Sequence, residues 1–381
     1  MKRSTFVFLV FAGSLIVSCK SMVGLETASV KNIPSGSPAM DTALVHQGAA
    51  EAAKLVTSIK ILYGTDRKLI HLTDGTLQYG NVQANPTNTK YDVGYTIVSI
   101  PPGHKMGNIE TPSIWKFQFS EDTMKHIVQR NITPLSDNDF NAMLKNAKNG
   151  QDAFIFVHGY NNSFKDASLR TAQLAEDIHL PVTPIMFSWS SNASVGAYIN
   201  DGDRVQAAVP AFIDFLKRVA KNSNFKKIHL IAHSMGNRLI SAAMLQLKDD
   251  ATQLKIDQII MAAPDVEVNS FQNIYAGALI KRSKHVTIYV AKNDWALFAS
   301  KTINNDIRLG EIGVPPPVYS FGNLDVIDAV KEKTDFLGHD RFARSPKIIA
   351  DMDSILKSDQ TAAQRKIPSK VYGSYVYYYF E

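Results

Sequence analysis

One serine of the chain lies in a pattern typical of an activated nucleophile, Ala232-His-Ser-Met-Gly236. Residues 227–232 form an apolar run that predicts a buried strand, and residues 235–247 follow a helical pattern. A small-x-Ser-x-Gly stretch between a strand and a helix is typical of a nucleophile elbow, whose flanking positions must be small because neighbouring backbone packs against them. We predict that Ser234 is the nucleophile; the alternative is an ordinary buried serine in a strand–helix turn.

A serine hydroxyl needs a base such as histidine, and a carboxylate that holds the histidine in one tautomer. Only His285 and His339 follow Ser234 in the chain, and in elbow-type hydrolases the order is serine, acid, histidine. His285 opens a predicted strand, whereas active-site groups lie at the carboxyl ends of strands. His339 lies in a predicted loop after the last strand candidate, so we predict that His339 is the base. His158, which precedes the serine, is interpreted as structural.

Two aspartates are candidates for the acid. Asp294 follows the predicted strand at residues 285–291, and Asp265 follows the preceding one at residues 256–262. The usual acid position is after the penultimate strand, which favours Asp294. Asp265 comes directly after Pro264, where an aspartate more often caps a turn, and it remains the alternative.

The backbone amide of Met235, at the start of the predicted helix, is expected to be one donor to an oxyanion. The second donor is expected after the apolar strand at residues 153–157, where residues 158–162 read His-Gly-Tyr-Asn-Asn. A His-Gly pair at this place lets the backbone turn, so that the next N–H faces the nucleophile. We assign this donor to Tyr160, with Asn161 as the alternative.

Three side chains are candidates for lining a substrate pocket: Asn161, Trp189 and Tyr198. Trp189 follows the predicted strand at residues 182–187 and therefore lies at the catalytic edge. Core packing is the alternative role for both aromatic residues, since large aromatic side chains are common in cores.

The amino terminus predicts export. A short cationic start precedes an apolar run at residues 6–17, too short to span a bilayer comfortably, and the run ends at Cys19 in the sequence Ile-Val-Ser-Cys. This resembles the lipobox of bacterial lipoproteins, which implies cleavage before Cys19, a lipid on its thiol and anchoring to a membrane. Lys20 in place of aspartate favours the outer membrane. An ordinary signal peptide or a short anchor helix is the alternative.

The composition of the chain excludes several classes of protein and of binding site. The chain has 381 residues, 45% hydrophobic and 20% charged, which suits one large α/β domain with appendages. The net charge of +6 falls to +4 when Lys2 and Arg3 leave with the signal peptide, and no basic–aromatic pattern indicates nucleic-acid binding. Because Cys19 is the single cysteine, neither an internal disulfide nor a cysteine metal site is possible. No motif predicts a cofactor or a metal.

The remaining pattern predicts an α/β fold with a mostly parallel central sheet flanked by helices, opened by antiparallel strands at residues 58–120. The expected organisation is a signal peptide at 1–18, a tether and possible helix at 19–57, the catalytic domain at 58–355 and an aromatic tail at 356–381. The tail could add an edge strand, contact a membrane interface or pack on the domain. The predicted strands lie at residues 57–62, 95–100, 153–157, 182–187, 227–232, 256–262, 285–291 and roughly 318–327, and the predicted helices at residues 163–178, 204–221 and 235–247.

Residues 58–355 resemble a bacterial α/β-hydrolase family of undefined substrate within the esterase/lipase superfamily. The resemblance implies the hydrolase fold and the same triad, but no substrate. It rests on several short motifs in order: Tyr63-Gly-Thr-Asp-Arg67, Val98-Ser-Ile-Pro-Pro-Gly-His104 with Gly107, His158-Gly-Tyr-Asn161, Phe187-Ser-Trp189, Ala232-His-Ser-Met-Gly236, Ala263-Pro-Asp265, Asn293-Asp294 and Gly338-His339.

The expected function is hydrolysis of carboxylic esters, with a small-molecule or lipid ester as substrate and no cofactor. Amidase, thioesterase or acyltransferase chemistry would use the same triad, so the chain order cannot separate them. A surface lipoprotein that keeps the fold only for binding is the alternative outside enzymes. The sequence gives no oligomeric state.

Overall fold

The computed structural model describes the greater part of the chain from residue 56 to the end. The described residues are 56–84, 90–112, 120–147, 151–194, 197–247, 254, 256–290, 307–310, 318, 320–329, 341–373 and 375–381. The predicted signal peptide, Cys19 and the tether as far as residue 55 lie outside these residues, as do the predicted acid Asp294 and the predicted base His339.

Within the described residues, one sheet of eleven strands forms the centre of the molecule. A separate two-stranded ribbon of β2 and β3 lies beside it. The strand order in the large sheet is β12-β13-β11-β10-β9-β8-β6-β7-β1-β4-β5. The strands are β1 (Thr57–Thr65), β2 (Arg67–His71), β3 (Leu77–Gln83), β4 (Asp92–Ile100), β5 (Val128–Leu135), β6 (Asp152–Val157), β7 (Val182–Ser188), β8 (Ile228–His233), β9 (Ile256–Ala262), β10 (Ser283–Val290), β11 (Leu324–Asp328), β12 (Ser369–Tyr372) and β13 (Tyr375–Tyr379).

The pairing confirms the predicted sheet. Strands β6 to β11 pair in parallel with one another, and β1 joins them in parallel with β7. Strands β1, β4 and β5 pair antiparallel, so the early strands form an antiparallel extension of one edge. The carboxyl ends of the parallel strands therefore meet at one edge of the sheet, where ligand sites form in folds of this class.

The helices that follow the strands cover both faces of the sheet. Alternate residues of β6 belong to two different hydrophobic clusters, because successive strand residues point to opposite faces. The cluster on one face takes residues from α1, α3, α4, α5 and α7, and the other face is covered by α2, α8 and α9. The helices are α1 (Asp137–Asn146), α2 (Phe164–Asp177), α3 (Tyr198–Ala207), α4 (Val209–Asn222), α5 (Gly236–Gln246), α6 (Val268–Ser270), α7 (Ala276–Arg282), α8 (Arg341–Arg344) and α9 (Pro346–Ser358), with a π-helical turn Phe271–Tyr275 between α6 and α7.

Two predicted elements differ from the structure. The single helix predicted over residues 204–221 is two helices, α3 and α4, with Ala208 between them and a proline in the first turn of α4. A proline has no N–H to donate to the preceding turn, so it is tolerated at a helix start and not inside one. The strand predicted from residue 318 begins only at Leu324, after a turn in which Phe321 and Leu324 exchange backbone hydrogen bonds.

The aromatic tail extends the sheet beyond β11. Strand β13 pairs in parallel with β11, and β12 pairs antiparallel with β13. Phe380 is 6% exposed and its ring stacks on Tyr289 at 6.3 Å between centroids. The tail therefore adds an edge hairpin and packs on the domain, while Tyr372 and Tyr375 at its turn are exposed. None of the helices in the described part of the chain is long and apolar enough to cross a membrane.

The loop after β4 is fixed to α2 and α8. His104 donates from Nδ1 to Glu110 at 2.9 Å and from Nε2 to Asp177 at 3.0 Å. Burial alone would lower the pKa of His104, but the hydrogen bonds to Asp177 and Glu110 raise it to about 9, so the ring is a cation at neutral pH. Gly107 donates its N–H to Asp177 at 2.7 Å, and a Cβ on this glycine would clash with the carbonyl oxygen of Arg344.

Candidate active site

Ser234 follows the last residue of β8 and has a backbone φ of +50°, a conformation that non-glycine residues rarely adopt. Its N–H donates to the carbonyl of Ala262 at 3.0 Å, and its carbonyl accepts from Asn237 at 3.0 Å and from Asp265 at 3.2 Å. Strain of this kind persists where the surroundings hold it, and it is concentrated at functional sites. The turn is thus the strained strand–helix turn that the sequence predicts.

The neighbours of Ser234 are packed too closely to admit larger side chains. A Cβ on Gly236 would lie 2.6 Å from the carbonyl oxygen of His158 and 2.7 Å from that of Val157. A Cβ on Gly159 would lie 2.9 Å from the Cβ of Ser234. The turn at Ser234 and the loop after β6 are therefore in direct contact, as a shared oxyanion site would require.

The oxyanion candidates lie on these two segments. Met235 immediately precedes α5, and the first amides of a helix have no intrahelical acceptor. Tyr160 lies in the loop after β6, next to Gly159. The N–H of Asn161 points to the carboxylate of Asp201, at a long 3.5 Å, which favours Tyr160 over Asn161 as the second donor. Met235 and Tyr160 stay the predicted donors.

His158, the first residue of this loop, is buried, and its contacts agree with a structural role. Its Nδ1 donates to the carbonyl of Gly159 at 2.7 Å, so Nε2 is the acceptor nitrogen, and Ser188 Oγ lies 3.2 Å from it. Burial, with a further contribution from the Arg67 guanidinium, lowers the pKa of His158 to about 3, so the ring stays neutral at physiological pH. The ring of Trp189 stacks on His158 at 5.1 Å, and its Nε1–H donates to the His158 carbonyl at 2.8 Å.

The two aromatic pocket candidates are buried. Trp189 is 0% exposed and supports His158 from below. Tyr198, at 7% exposed, donates its hydroxyl to Asp265 and packs edge-on against Tyr160 at 5.5 Å. The contacts of both rings are those of packed side chains behind the loop, and a pocket role for either stays a prediction.

The alternative acid, Asp265, is a buried ion-pair partner. Its carboxylate lies 3.0 Å from Nη2 of Arg238 and 3.5 Å from Nε of Arg308, and it accepts from the hydroxyl of Tyr198. Arg238 also donates from Nε to the Asp265 carbonyl at 2.8 Å. Two guanidinium groups therefore balance the charge of this carboxylate, and a phenol donates a hydrogen bond to it. The backbone N–H of Asp265 donates to the carbonyl of Ser234.

His285 lies at the wrong end of β10 for a base. The register pairs His233 with Ala262 and Ala262 with Tyr289, so Tyr289 marks the edge where Ser234 lies. His285 is four residues earlier in the same strand, which at about 3.3 Å per residue is roughly 13 Å away. Its Nε2 instead bonds to Asp325 at 2.8 Å.

Some residues of the site were not assigned a role from the sequence. The sequence gives Arg67 no role beyond its place in the motif Tyr63-Gly-Thr-Asp-Arg67, yet Arg67 is fully buried and bonds to the loop after β6. No sequence motif points to Asp201 or Arg238. A buried charge needs partners, but no pattern in the sequence around Arg67 shows that its side chain is buried. No group of side chains among the described residues has the arrangement of a metal site.

Comparison with known proteins agrees with this architecture. Residues 135–358 match the family described as "Alpha/beta hydrolase of unknown function (DUF900)". No curated protein matches the chain.

Solved esterase structures are distantly similar. Est1E from Butyrivibrio proteoclasticus is 11% identical with a TM-score of 0.35, over 56% of this chain and 89% of that one. Esterase B from Lactobacillus rhamnosis is 10% identical with a TM-score of 0.34, over 85% of this chain and 97% of that one. An esterase from Pyrobaculum calidifontis is 11% identical with a TM-score of 0.35, over 85% and 95% of the two chains. TM-scores of this size support no argument about function.

The close packing around Gly236 gives a direct prediction. Gly236→Ala should destabilise the protein by about 1–3 kcal/mol, because the added methyl meets backbone oxygens that cannot rotate away. The matched control is Gly277→Ala, in α7, where nothing lies within 4 Å of the added Cβ; alanine there should be neutral or stabilising by about 0.5–1 kcal/mol. Urea unfolding measures both, and equal stability of the two variants would contradict the packing argument.

Proposed function

The chain belongs to the family of α/β hydrolases of unknown function that matches residues 135–358, and we propose that it is a serine hydrolase that cleaves carboxylic esters. The observation that carries the proposal is the backbone of Ser234, which is held at φ +50° between a buried parallel strand and a helix. Such a turn presents the serine hydroxyl at the carboxyl edge of the sheet, beside the amides that would bind an oxyanion.

In the proposed mechanism, Oγ of Ser234 attacks the acyl carbon while His339 accepts the hydroxyl proton. The carbonyl oxygen becomes an oxyanion and binds the N–H groups of Tyr160 and Met235. Collapse of this intermediate expels the alcohol, which takes the proton from His339, and leaves an acyl-enzyme. Water then attacks the acyl-enzyme with His339 again as base, and the acid leaves as Ser234 recovers its proton. Asp294 orients His339 throughout, and these steps require neither a metal nor an organic cofactor.

The position of α8 supports His339 as the base. Phe342, three residues after His339, stacks its ring on His233 at 4.6 Å between centroids, and His233 is the residue before Ser234. Three residues of chain span at most about 11 Å. The connection from the predicted base to the neighbourhood of the nucleophile is therefore short.

The helix that carries Phe342 is held firmly. Arg170 of α2 donates to the carbonyl of Ala343 at 3.4 Å, and Gly107 packs directly against the carbonyl of Arg344. Phe342 also lies 6.5 Å from the ring of Phe156 in β6. A base needs a fixed distance from its nucleophile, and these contacts fix the helix next to it.

Two observations support Asp294 as the acid. Val290 ends β10, and Ala263, beyond the end of β9, donates its N–H to the carbonyl of Tyr289 at 2.9 Å. Asp294 follows Val290 by four residues in the chain, and Val290 ends its strand at the edge where Ser234 lies. The competing carboxylate, Asp265, is engaged by Arg238 and Arg308.

We also propose that the chain is exported and anchored to a membrane through a lipid on Cys19, most consistent with the outer membrane. The support is the sequence of residues 1–19 and the position of the single cysteine after an apolar run. Diacylglyceryl modification would supply two acyl chains, which is enough for stable anchoring. A membrane-anchored esterase would meet lipid or small-molecule esters at the cell envelope.

Ser234 is tested by fluorophosphonate labelling of the chain that lacks residues 1–19. The parent protein should be labelled, and Ser234→Ala should lose all labelling, because only an activated serine attacks the phosphorus. The control is Ser241→Ala in α5, which removes a buried hydroxyl without a hydrogen-bond partner among the described residues and should be labelled normally.

The outcome separates the competing functions. Labelling of the parent with no turnover of esters of any chain length would favour amide, thioester or acyl-transfer chemistry. A folded parent that is not labelled would overturn the hydrolase proposal and favour a binding protein.

The acid is tested by comparing two asparagine variants. Asp294→Asn should lower kcat by about 10⁴-fold with little change in stability, as loss of the carboxylate does in other serine triads. Asp265→Asn should instead lower the unfolding free energy by about 3 kcal/mol, because it leaves buried guanidinium charge uncompensated. Ester turnover and urea unfolding measure the two effects. Full activity of Asp294→Asn, with loss in a stable Asp265→Asn, would reverse the assignment.

Lipidation is tested in bacteria that express the full chain and are fed an alkyne analogue of palmitate. The chain should take up the label and sediment with membranes, whereas Cys19→Ser should lose both properties. Ser21→Ala, two residues further on, is the matched control and should be lipidated. Membrane association of Cys19→Ser equal to that of the parent would show that another segment is the anchor.

A further inference from the structure

Arg67 is a fully buried cation directly behind the candidate oxyanion loop. It is the first residue of β2, and its side chain has no exposed surface. Burial lowers the pKa of Arg67 to about 10, against the opposing effect of Asp66 and Asp201, so the guanidinium is charged at neutral pH. Burying a charged group costs free energy unless its N–H donors all have acceptors. The acceptors of this guanidinium therefore show which segments it holds in place.

The guanidinium binds both ends of the loop that contains Tyr160. Nη2 donates to the carbonyl of Asn162 at 2.7 Å and lies 3.4 Å from Nε2 of His158. Because Nδ1 of His158 donates to Gly159, Nε2 is an acceptor, and the Arg67 contact is an N–H donated to it. The two contacts thus lie two residues before and two residues after Tyr160.

The same guanidinium binds the neighbouring strand end. Nε donates to Oγ of Ser188 at 2.9 Å and Nη1 donates to the carbonyl of Ser191 at 3.1 Å. Ser188 Oγ is also 3.2 Å from Nε2 of His158. The planar fork of arginine therefore joins the loop after β6 to the end of β7 in one rigid arrangement, which a lysine ammonium cannot reproduce.

A buried carboxylate, that of Asp201, binds the same two segments that Arg67 joins. Asp201 accepts from Oγ of Ser191 at 2.6 Å and from the N–H of Asn192 at 2.8 Å, and the N–H of Asn161 points to it. Asn161 has a backbone φ of +57°, so this loop is itself strained and needs such support.

We propose that Arg67 is a positioning residue of the oxyanion hole, which acts by fixing the N–H of Tyr160 through His158 and Asn162. The inference rests on the proposed function, because it needs an oxyanion to be stabilised. An oxyanion donor displaced by a fraction of an ångström still allows substrate to bind, but it stabilises the transition state less. Loss of Arg67 should therefore lower kcat more than it changes KM.

The experiment compares Arg67→Lys with Arg204→Lys in the otherwise unchanged chain. Arg204 is a matched control, since its Nη1 donates to the carbonyls of Asn81 and Ser190 and to Oδ1 of Asn192, close by but away from the loop after β6. Turnover of a p-nitrophenyl ester gives kcat and KM. Inhibition by a trifluoromethyl ketone with the same acyl chain reports binding of an oxyanion.

Arg67→Lys should lower kcat about 10- to 100-fold, below the 10²–10³-fold cost of deleting a donor outright, with KM within about threefold. The inhibition constant of the ketone should rise in proportion to the loss of kcat. Arg204→Lys should leave both unchanged. Ser188→Ala, which removes one link between Arg67 and His158, is a milder second variant and should lower kcat several-fold if Arg67→Lys does not fold.

Each outcome decides a different point. A parent enzyme without turnover or labelling would overturn the proposed function, and with it this role of Arg67. If the parent is active but Arg67→Lys and Ser188→Ala keep its kcat, the role of Arg67 alone is overturned. The same holds if these variants weaken binding of the ketone and of the substrate equally. An equal loss of kcat in Arg204→Lys would reduce both arginines to general structural support.

Discussion

The strained backbone of Ser234 is the constraint on which the rest of the site depends. A residue at φ +50° keeps that conformation only when its surroundings hold it there. Here the carbonyl of Ala262 accepts its N–H, and the amides of Asn237 and Asp265 bind its carbonyl. Those three partners come from the end of one neighbouring strand, β9, from the segment that follows it and from the start of α5. The register of the parallel sheet therefore determines the geometry of the proposed nucleophile.

Buried charges behind the turn give this arrangement its rigidity. Arg67 and Asp201 hold the loop after β6 through the carbonyl of Asn162 and the N–H of Asn161. Asp265, with Arg238 and Arg308, holds the segment after β9. Inside a protein such contacts are strong because the local dielectric is low, and an unpaired group there is costly. A network of this kind favours one loop conformation over its alternatives, as a preorganised oxyanion site requires.

The sequence predicted the parts of the structure that depend on short-range pattern. The apolar run before Ser234, the helix after it and the small flanking residues are local, and so was the exclusion of His285 from its place at the start of a strand. The break at Ala208 was missed because helical periodicity continues across it. The role of Arg67 was missed because its partner Asn162 is 95 residues away in the chain, and the sequence does not encode such proximity in any pattern. The burial of Trp189 and Tyr198 likewise follows from tertiary packing.

The residues that hold the site are far apart in the chain, and this has a consequence for folding kinetics. Arg67 must contact Asn162, and Phe342 must contact His233. Closing chain segments of this length is slow compared with forming a local helix. No short stretch of the chain contains both the turn at Ser234 and the residues that hold the proposed oxyanion loop. An incompletely folded chain therefore lacks a competent site, and the proposed activity would be switched on only when the whole sheet has closed. For a chain that crosses a membrane before it folds, that order of events would keep the proposed enzyme inactive until translocation is complete.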